Sequence, residues 1–384
     1  MVIRSNIIGI QVTDFTRSGT RSNPYGKCLM LGSANTGTDR TLSTIASLDD
    51  FISKFGADSP SRNHVETFFL ELTNTGIELQ FYKVNVGSTT PVITDFTLAL
   101  NTIDPLSSAG GIVISPEVYS NFPIASRKSY FDAAETFCDF NRGSLWVHIV
   151  DINPTGTTYT ESDVASEKTT NYTSAMSGFV YYGIGQRTIN EVLTNLVSSP
   201  AIAAYMLSLW SGSNFYLLPS DYSKGLKSFF SLFRNFKSVD TMIQAGVNPL
   251  VMEDSVIYPF SAVSGATRKA YKHINTVVCF KLAAFYLMQS VRPFVNAPIS
   301  GDDDLPSKVK ATLENECYVC YLNRRLLTGN TTDEAYTVTV NTQTVDVNDS
   351  KIVVLVELNP TYANQRVELQ IINLLTDQIR TTVA

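Results

Sequence analysis

Ile8, Ile10 and Val12 alternate with polar or small neighbours, which is the period of a half-buried strand. The next stretch, Thr16 to Gly26, sets Gly19, Pro24 and Gly26 among Ser, Thr, Asn and Arg, and reads as a flexible connector rather than a hairpin turn. A terminal strand isolated in this way cannot satisfy its own backbone groups. It must add to a sheet edge, in this molecule or in a neighbour.

From Lys27 the pattern becomes α/β. A buried strand at Cys28 to Gly32 is followed by Ser47 and, three residues on, Asp50, a capping box that opens a helix closed by Gly56. A second helix around His64 to Leu72 ends near Gly76, and Ile77 to Val86 reads as a strand of β-branched and aromatic residues. A strand at Gly111 to Ser115, a helix from Ser126 to Phe140 and a strand at Leu145 to Ile152 continue the alternation, which predicts a layered sheet flanked by helices. Asn153 to Thr173, rich in Thr, Ser and Gly, reads as a surface excursion rather than core.

Thr188 with Glu191 gives a second capping box, and helical patterns run on with breaks to Ala245. Between Arg268 and Arg292, Ile274, Val278, Leu282, Phe285 and Met288 form one apolar stripe. Phe280, Leu287 and Val291 add another, so this helix is expected to be buried nearly all round. Pro306 suits the first turn of a helix that runs to Leu327 and stops before Gly329. Strands follow at Tyr336 to Val340, Ile352 to Leu358 and Arg366 to Ile372. Asn373 to Ala384 have no obvious place, and there is no internal repeat.

The 384 residues allow two or three compact units. A net charge of −6 and the lack of any dense Lys/Arg cluster argue against nucleic acid as a partner. No uninterrupted apolar run approaches the length of a bilayer span, and Met1 to Val12 has no signal-peptide pattern, so no membrane insertion is expected and assembly in a cytoplasm follows. The five cysteines, Cys28, Cys138, Cys279, Cys317 and Cys320, are odd in number and scattered, as buried thiols of a reducing compartment would be.

Candidate chemistry is thin. Gly32-Ser33-Ala34-Asn35-Thr36-Gly37 has the two-glycine spacing of a phosphate loop, but Thr38 and Asp39 stand where a Lys is needed. Cys317 and Cys320 have the spacing of half a zinc site, yet no second pair accompanies them. They share a helical stripe with Val309, Leu313 and Arg324, so a core face is the plainer reading. His148 and Asp151, three apart in a strand, point to opposite faces and make no dyad. Asp302 to Asp304 are consecutive rather than alternating, which suits a solvated helix start better than a calcium loop. No enzyme site, metal or cofactor is nominated. The rival reading, a soluble α/β enzyme or small-molecule-binding protein, would need a cleft of convergent polar groups.

An ordered series of segments resembles the sheath proteins of contractile phage tails. Gly26 to Gly32 with Gly37, the helix Asp49 to Phe55 with Gly56, and the strand Leu79 to Val84 are similar to the family's opening α/β segment. Ala245-Gly246-Val247-Asn248 and Ser264-Gly265-Ala266-Thr267-Arg268 resemble its two most recognisable motifs, with the Thr and Arg of the second reversed. His273-Ile274-Asn275-Thr276 and Arg292-Pro293-Phe294-Val295-Asn296 resemble the start and end of its long helix. The likeness runs over about residues 24 to 372 and is weaker from 155 to 240.

The resemblance implies a structural subunit, not an enzyme. It would polymerise helically with itself around a tail tube protein, meet baseplate and tail terminator proteins, and contract to drive the tube through a cell envelope. Its location would be the tail of a virion or related injection particle. The implied plan is an amino-terminal linker arm (1–23), an α/β core (24–262, with a variable surface region at 153–240), an α+β carboxy-terminal domain (263–372) and a second arm (373–384). Ile8, Ile10 and Val12 in one arm, and Leu374, Leu375 and Ile379 in the other, would pair with neighbouring subunits. If the helix from Pro306 faces the tube, as its family counterpart does, Lys308, Lys310, Arg324 and Arg325 are candidates for contacts to it; a solvated face is the commoner meaning of such charges.

Overall fold

The computed structural model describes residues 7–10, 25–73, 76–105, 110–139, 144–152, 159–174, 176–211, 220, 225–235, 239–267, 271–294, 305–340, 354–361, 369–372 and 380–383. In chain order, the first part runs β1 (Ile7–Ile10), β2 (Lys27–Gly32), β3 (Leu42–Ile45), α1 (Leu48–Phe55), α2 (Arg62–Glu71), β4 (Glu78–Lys83), α3 (Ile93–Thr102), β5 (Gly111–Ile114), α4 (Pro116–Asn121), α5 (Ile124–Phe137), β6 (Val147–Ile152), α6 (Glu161–Asn171) and β7 (Gly178–Tyr182). The second part runs β8 (Ile184–Ile189), β9 (Val192–Val197), α7 (Ser199–Ser211), β10 (Ser231–Leu232), α8 (Asp240–Gln244), β11 (Val247–Glu253), β12 (Val256–Pro259), α9 (Ile274–Val291), α10 (Leu305–Leu322), α11 (Thr332–Ala335), β13 (Tyr336–Val340), β14 (Val354–Leu358), β15 (Leu369–Ile372) and β16 (Arg380–Val383).

The protein is mixed α/β around an eight-stranded sheet of order β12-β11-β7-β6-β5-β2-β4-β3. Its six inner strands are parallel, and β3 and β12 close the edges antiparallel. Parallel strands covered on both faces read as continuous apolar runs, and β2 does so. Cys28 and Met30 enter one core with Phe51, Phe55 and Phe68 of α1 and α2 and Trp210 of α7. Leu29 and Leu31 enter the other with Phe96 of α3 and Tyr130 and Phe131 of α5.

The capping signal before α1 is realised: the Ser47 side chain accepts from the Asp50 N–H, and Gly56 follows at φ 90°. Several expectations are corrected. Thr188 and Glu191 do not open a helix, because residues 184–197 form the β8–β9 hairpin, in register from Ile184 opposite Val197 to Ile189 opposite Val192. Asn190 and Glu191 take positive φ (49° and 67°), the two-residue turn that matches strand twist. The stretch expected to be a surface excursion contains α6, opened by a Thr160–Asp163 capping box and burying Val164, Glu167 and Lys168. Helices α3 and α4 were not anticipated, and α10 ends at Leu322 rather than Leu327, since Arg325 turns to φ 53°.

Residues Ile274–Phe294 are long and apolar enough to cross a bilayer, a length that uninterrupted apolar runs conceal, but 78% of that window is buried within the protein. An all-round apolar helix so covered is a core helix. Its wholly buried Lys281 donates from Nζ to the carbonyls of Cys138 (3.0 Å) and Trp146 (2.6 Å). Burial lowers this amine to a pKa of about 8.

A second sheet, β1-β14-β13, joins the amino-terminal strand to the carboxy-terminal region, with Ile8 opposite Val356 and Ile10 opposite Val354. Arg380–Val383, in the tail to which no place was given, pairs antiparallel with β15.

Candidate functional site

In a doubly wound sheet a ligand sits outside the carboxyl ends of the strands where the winding direction reverses. Here the chain passes from β2 to β4 on one side and then to β5 on the other, so the switch point lies between β2 and β5. That crevice is occupied by Glu117 from the first turn of α4. Its carboxylate accepts from the Ser33 N–H (2.9 Å), the Ser33 hydroxyl (2.7 Å) and the Ser61 hydroxyl before α2. Burial pushes the Glu117 carboxyl above its usual range, while these hydrogen bonds oppose the rise.

The loop after β2 is pinned from the other side by Asn85, which accepts from the Ala34 N–H and donates to the Ala34 carbonyl, both at 3.0 Å. Asp39, which stands where a phosphate loop would place a lysine, instead accepts from the buried Lys83 ammonium at 2.6 Å, a contact that holds its carboxyl below the usual range. The N–H groups of Ser33, Ala34, Asn35 and Thr36, which a phosphate loop would turn to its ligand, are thus committed within the chain, to Glu117, Asn85, the Ser59 hydroxyl and the Phe55 carbonyl.

The other candidate chemistry is dispersed. His148 Nε2 meets the Glu135 carboxylate at 2.6 Å, and that carboxylate also accepts from the Ser174 hydroxyl (2.9 Å). Asp151 accepts from the Ser198 hydroxyl (2.8 Å) and the Ser199 N–H (3.0 Å) at the start of α7, and burial raises its carboxyl to a pKa of about 6. Cys317 and Cys320 lie fully buried with Val309 and Leu313 along α10. Among the described residues, no three of His, Cys, Asp and Glu gather at one point. Asp302 to Asp304 lie outside the described residues.

The two short motifs far apart in sequence meet in space. Asn248, on β11 beside β7, is completely buried, and its Nδ2 donates to the carbonyls of Val180 (3.0 Å) and Val263 (2.7 Å). Its Oδ1 accepts from the Ser261 hydroxyl (3.0 Å) and the Val263 N–H (2.7 Å). Gly265 donates its N–H to the Gly178 carbonyl at 2.9 Å, and a Cβ added at Gly265 would lie 2.9 Å from that same oxygen. Gly246, at φ 87°, brings the turn before β11 against Ser264. Both motifs are thus a structural splice that fixes the chain leaving β12 to the first half of β7.

No family model matches the chain, and no curated protein matches it by sequence. Solved structures do match it along nearly its whole length. It is similar to the helical sheath of the anti-feeding prophage in its contracted state, with a TM-score of 0.71 at 15% identity over 95% of this chain and 98% of that one. The fold is that of a contractile sheath protein. The sheath fold is also shared with the contracted sheath complex of the PVC extracellular contractile injection system (TM-score 0.68, 14% identity, 96% and 98% covered). It extends to the sheath tail protein of Desulfitobacterium hafniense (TM-score 0.59, 10% identity, 97% and 100% covered).

Of the residues nominated from sequence, Ile8 and Ile10 lie on β1, whereas Val12, Leu374, Leu375 and Ile379 lie outside the described residues. Lys308 and Lys310 are on the exposed side of α10, where Lys310 pairs with Glu314 at 3.6 Å. Arg324 is engaged within the chain, with Glu316 and over the ring of Tyr286. Arg325 is exposed at a left-handed position, and its carbonyl accepts from Thr361 (2.7 Å). Glu117 was missed; the local signal for it is Ser115-Pro116-Glu117 after a buried strand, with Pro at the first helical position.

Proposed function

We propose that this chain is the structural subunit of a contractile sheath, in a phage tail or a related injection particle, polymerising with itself around a tube protein and anchored on a baseplate. The observation that carries this reading is the likeness to sheath proteins along the chain: 95 to 97% of this chain superposes on 98 to 100% of theirs. The saturated switch point argues against the enzyme reading, since the crevice where a substrate would lie is filled by a side chain.

The work of such a subunit is mechanical. An extended helical lattice is metastable, and a trigger at the baseplate lets nearly rigid bodies repack into a lattice with more buried area and more polar contacts. The terminal segments 1–23 and 373–384 serve as linkers, the bodies being 24–262 and 263–372. The pairing of β1 with β14 supports this, because a strand reached through a separate connector can be supplied by a neighbour to the same edge. Lys308, Lys310 and Arg325 are the basic side chains we assign to the tube-facing side. Negative-stain microscopy of the purified chain, alone and co-expressed with its tube protein, tests the reading: striated tubes or rods are expected, and uniform small particles under every condition would overturn it.

A further inference from the structure

At the switch point, three donors from two segments converge on one spot: the Ser33 N–H, the Ser33 hydroxyl and the Ser61 hydroxyl. All three end on the two oxygens of the Glu117 carboxylate, and Ser33, Ser61 and Glu117 are each at most 2% exposed. Uncharged donors grouped at a strand end are how doubly wound folds hold an anionic ligand. Here the anion comes from the chain. Gly32 belongs to the arrangement as well, since a Cβ there would lie 2.1 Å from the Ser61 Oγ and displace that hydroxyl.

We propose that this crevice is a carboxylate-binding site occupied by the chain's own Glu117, and that a small free carboxylate takes it once that side chain is removed. The donors are held in place by other contacts. Ser61 donates its N–H to the Ser33 carbonyl (3.4 Å), Asn85 fixes Ala34 from the far side, and the Ser115 hydroxyl bonds the Leu31 carbonyl (3.3 Å). Truncating Glu117 therefore leaves a preorganised set of buried donors without an acceptor, which an added carboxylate can satisfy.

The test is thermal unfolding of full-length Glu117→Ala in sodium formate against sodium chloride at equal ionic strength. The variant is expected to melt lower than the wild type by roughly 5 °C, with formate restoring a saturable part of the loss. The wild type should respond to formate no more than to chloride. Glu117→Gln, which keeps the side-chain volume and one acceptor, is expected to melt low and to ignore formate. Equal formate shifts in wild type and Glu117→Ala, or a Glu117→Gln response as large as that of Glu117→Ala, would overturn the proposal. Should Glu117→Ala fail to fold unaided, refolding from urea in the two salts decides: recovery in formate alone supports the site, and equal failure in both sinks it.

Discussion

The guanidinium of Arg324 lies over the ring of Tyr286, 3.7 Å from its centroid, while the same group pairs with Glu316. The contact joins the loop after α10 to the side of α9. A cation over an aromatic face contributes about 0.5–2 kcal/mol, and removing it also leaves Glu316, only 6% exposed, without its cation. Arg324→Ala is expected to lower stability by roughly 2–3 kcal/mol in urea titration, and Arg324→Lys to recover little, because an ammonium cannot stack as the planar group does. A loss below 0.5 kcal/mol for Arg324→Ala, about the scatter of surface substitutions, would leave Arg324 free for the tube after all.

Asp151 supplies a pH dependence with a defined sign. Its folded pKa of about 6 lies above the ordinary 3.8, so the proton is bound more tightly by the folded protein. The linked stability is fully present below about pH 4 and is lost as pH rises through 6, a span worth about 3 kcal/mol. Buried His64, lowered by burial to about 4, has the opposite sign and loses its stability as pH falls. Only a difference between variants isolates Asp151. Asp151→Asn, which keeps an acceptor for Ser198 and Ser199, is expected to gain on the wild type progressively from pH 4 to 7 in urea titrations. Parallel curves for the two proteins across that range would contradict the assignment.

Strands β2, β4, β5 and β6 and helices such as α1 and α9 were legible because their signals are local: the apolar run of β2, the Ser47–Asp50 cap, and the two-sided apolar pattern of α9; β3, β7, β11, β12, α3 and α4 carry weaker local signals. The misreading at Thr188 and Glu191 was local too. A capping-box spacing and a two-residue hairpin turn can occupy the same residues, and the pairing of Ile189 with Val192 decides between them. What sequence cannot display is a contact whose partners lie far apart. Glu117 reaches Ser33 across 84 residues, and the meaning of the Gly246–Asn248 and Ser264–Gly265 motifs emerges only when their loops touch.

Asn248 is the test of that splice. Its side chain satisfies two carbonyls, an N–H and a hydroxyl, all buried, and Asn248→Ala orphans the whole set. Each unsatisfied group costs about 1–3 kcal/mol, so a loss of at least 3 kcal/mol is expected. Asn248→Asp should cost as much, because a carboxylate oxygen replaces the donor facing the Val180 and Val263 carbonyls. Circular dichroism during urea unfolding measures both, and a loss under 1 kcal/mol in either would show that the loops hold without it.

The pairing of β1 with β14 gives a direct test of strand exchange. Ile7 stands opposite Glu357 in register, and along β14 Glu357 alternates with the buried Val354, Val356 and Leu358. Cysteines at both positions, Ile7→Cys with Glu357→Cys, can be oxidised across the pair, and the five native cysteines are all buried and out of reach. In a dilute monomer the bond forms within one chain and leaves a monomer band on a non-reducing gel. In an assembled sheath the same oxidation is expected to give a ladder of covalent oligomers, because a neighbour's strand then fills the edge. Ile10→Pro, opposite Val354, removes a backbone donor and obstructs pairing. At about 1 kcal/mol per backbone hydrogen bond the monomer loses little, whereas a polymer repeats that loss at every subunit junction. Tubes should therefore fail to form while the monomer melts nearly unchanged. Tubes of normal length from Ile10→Pro, or a monomer band alone from oxidised tubes of the cysteine pair, would mean that the strand stays at home and that subunits are joined by other surfaces.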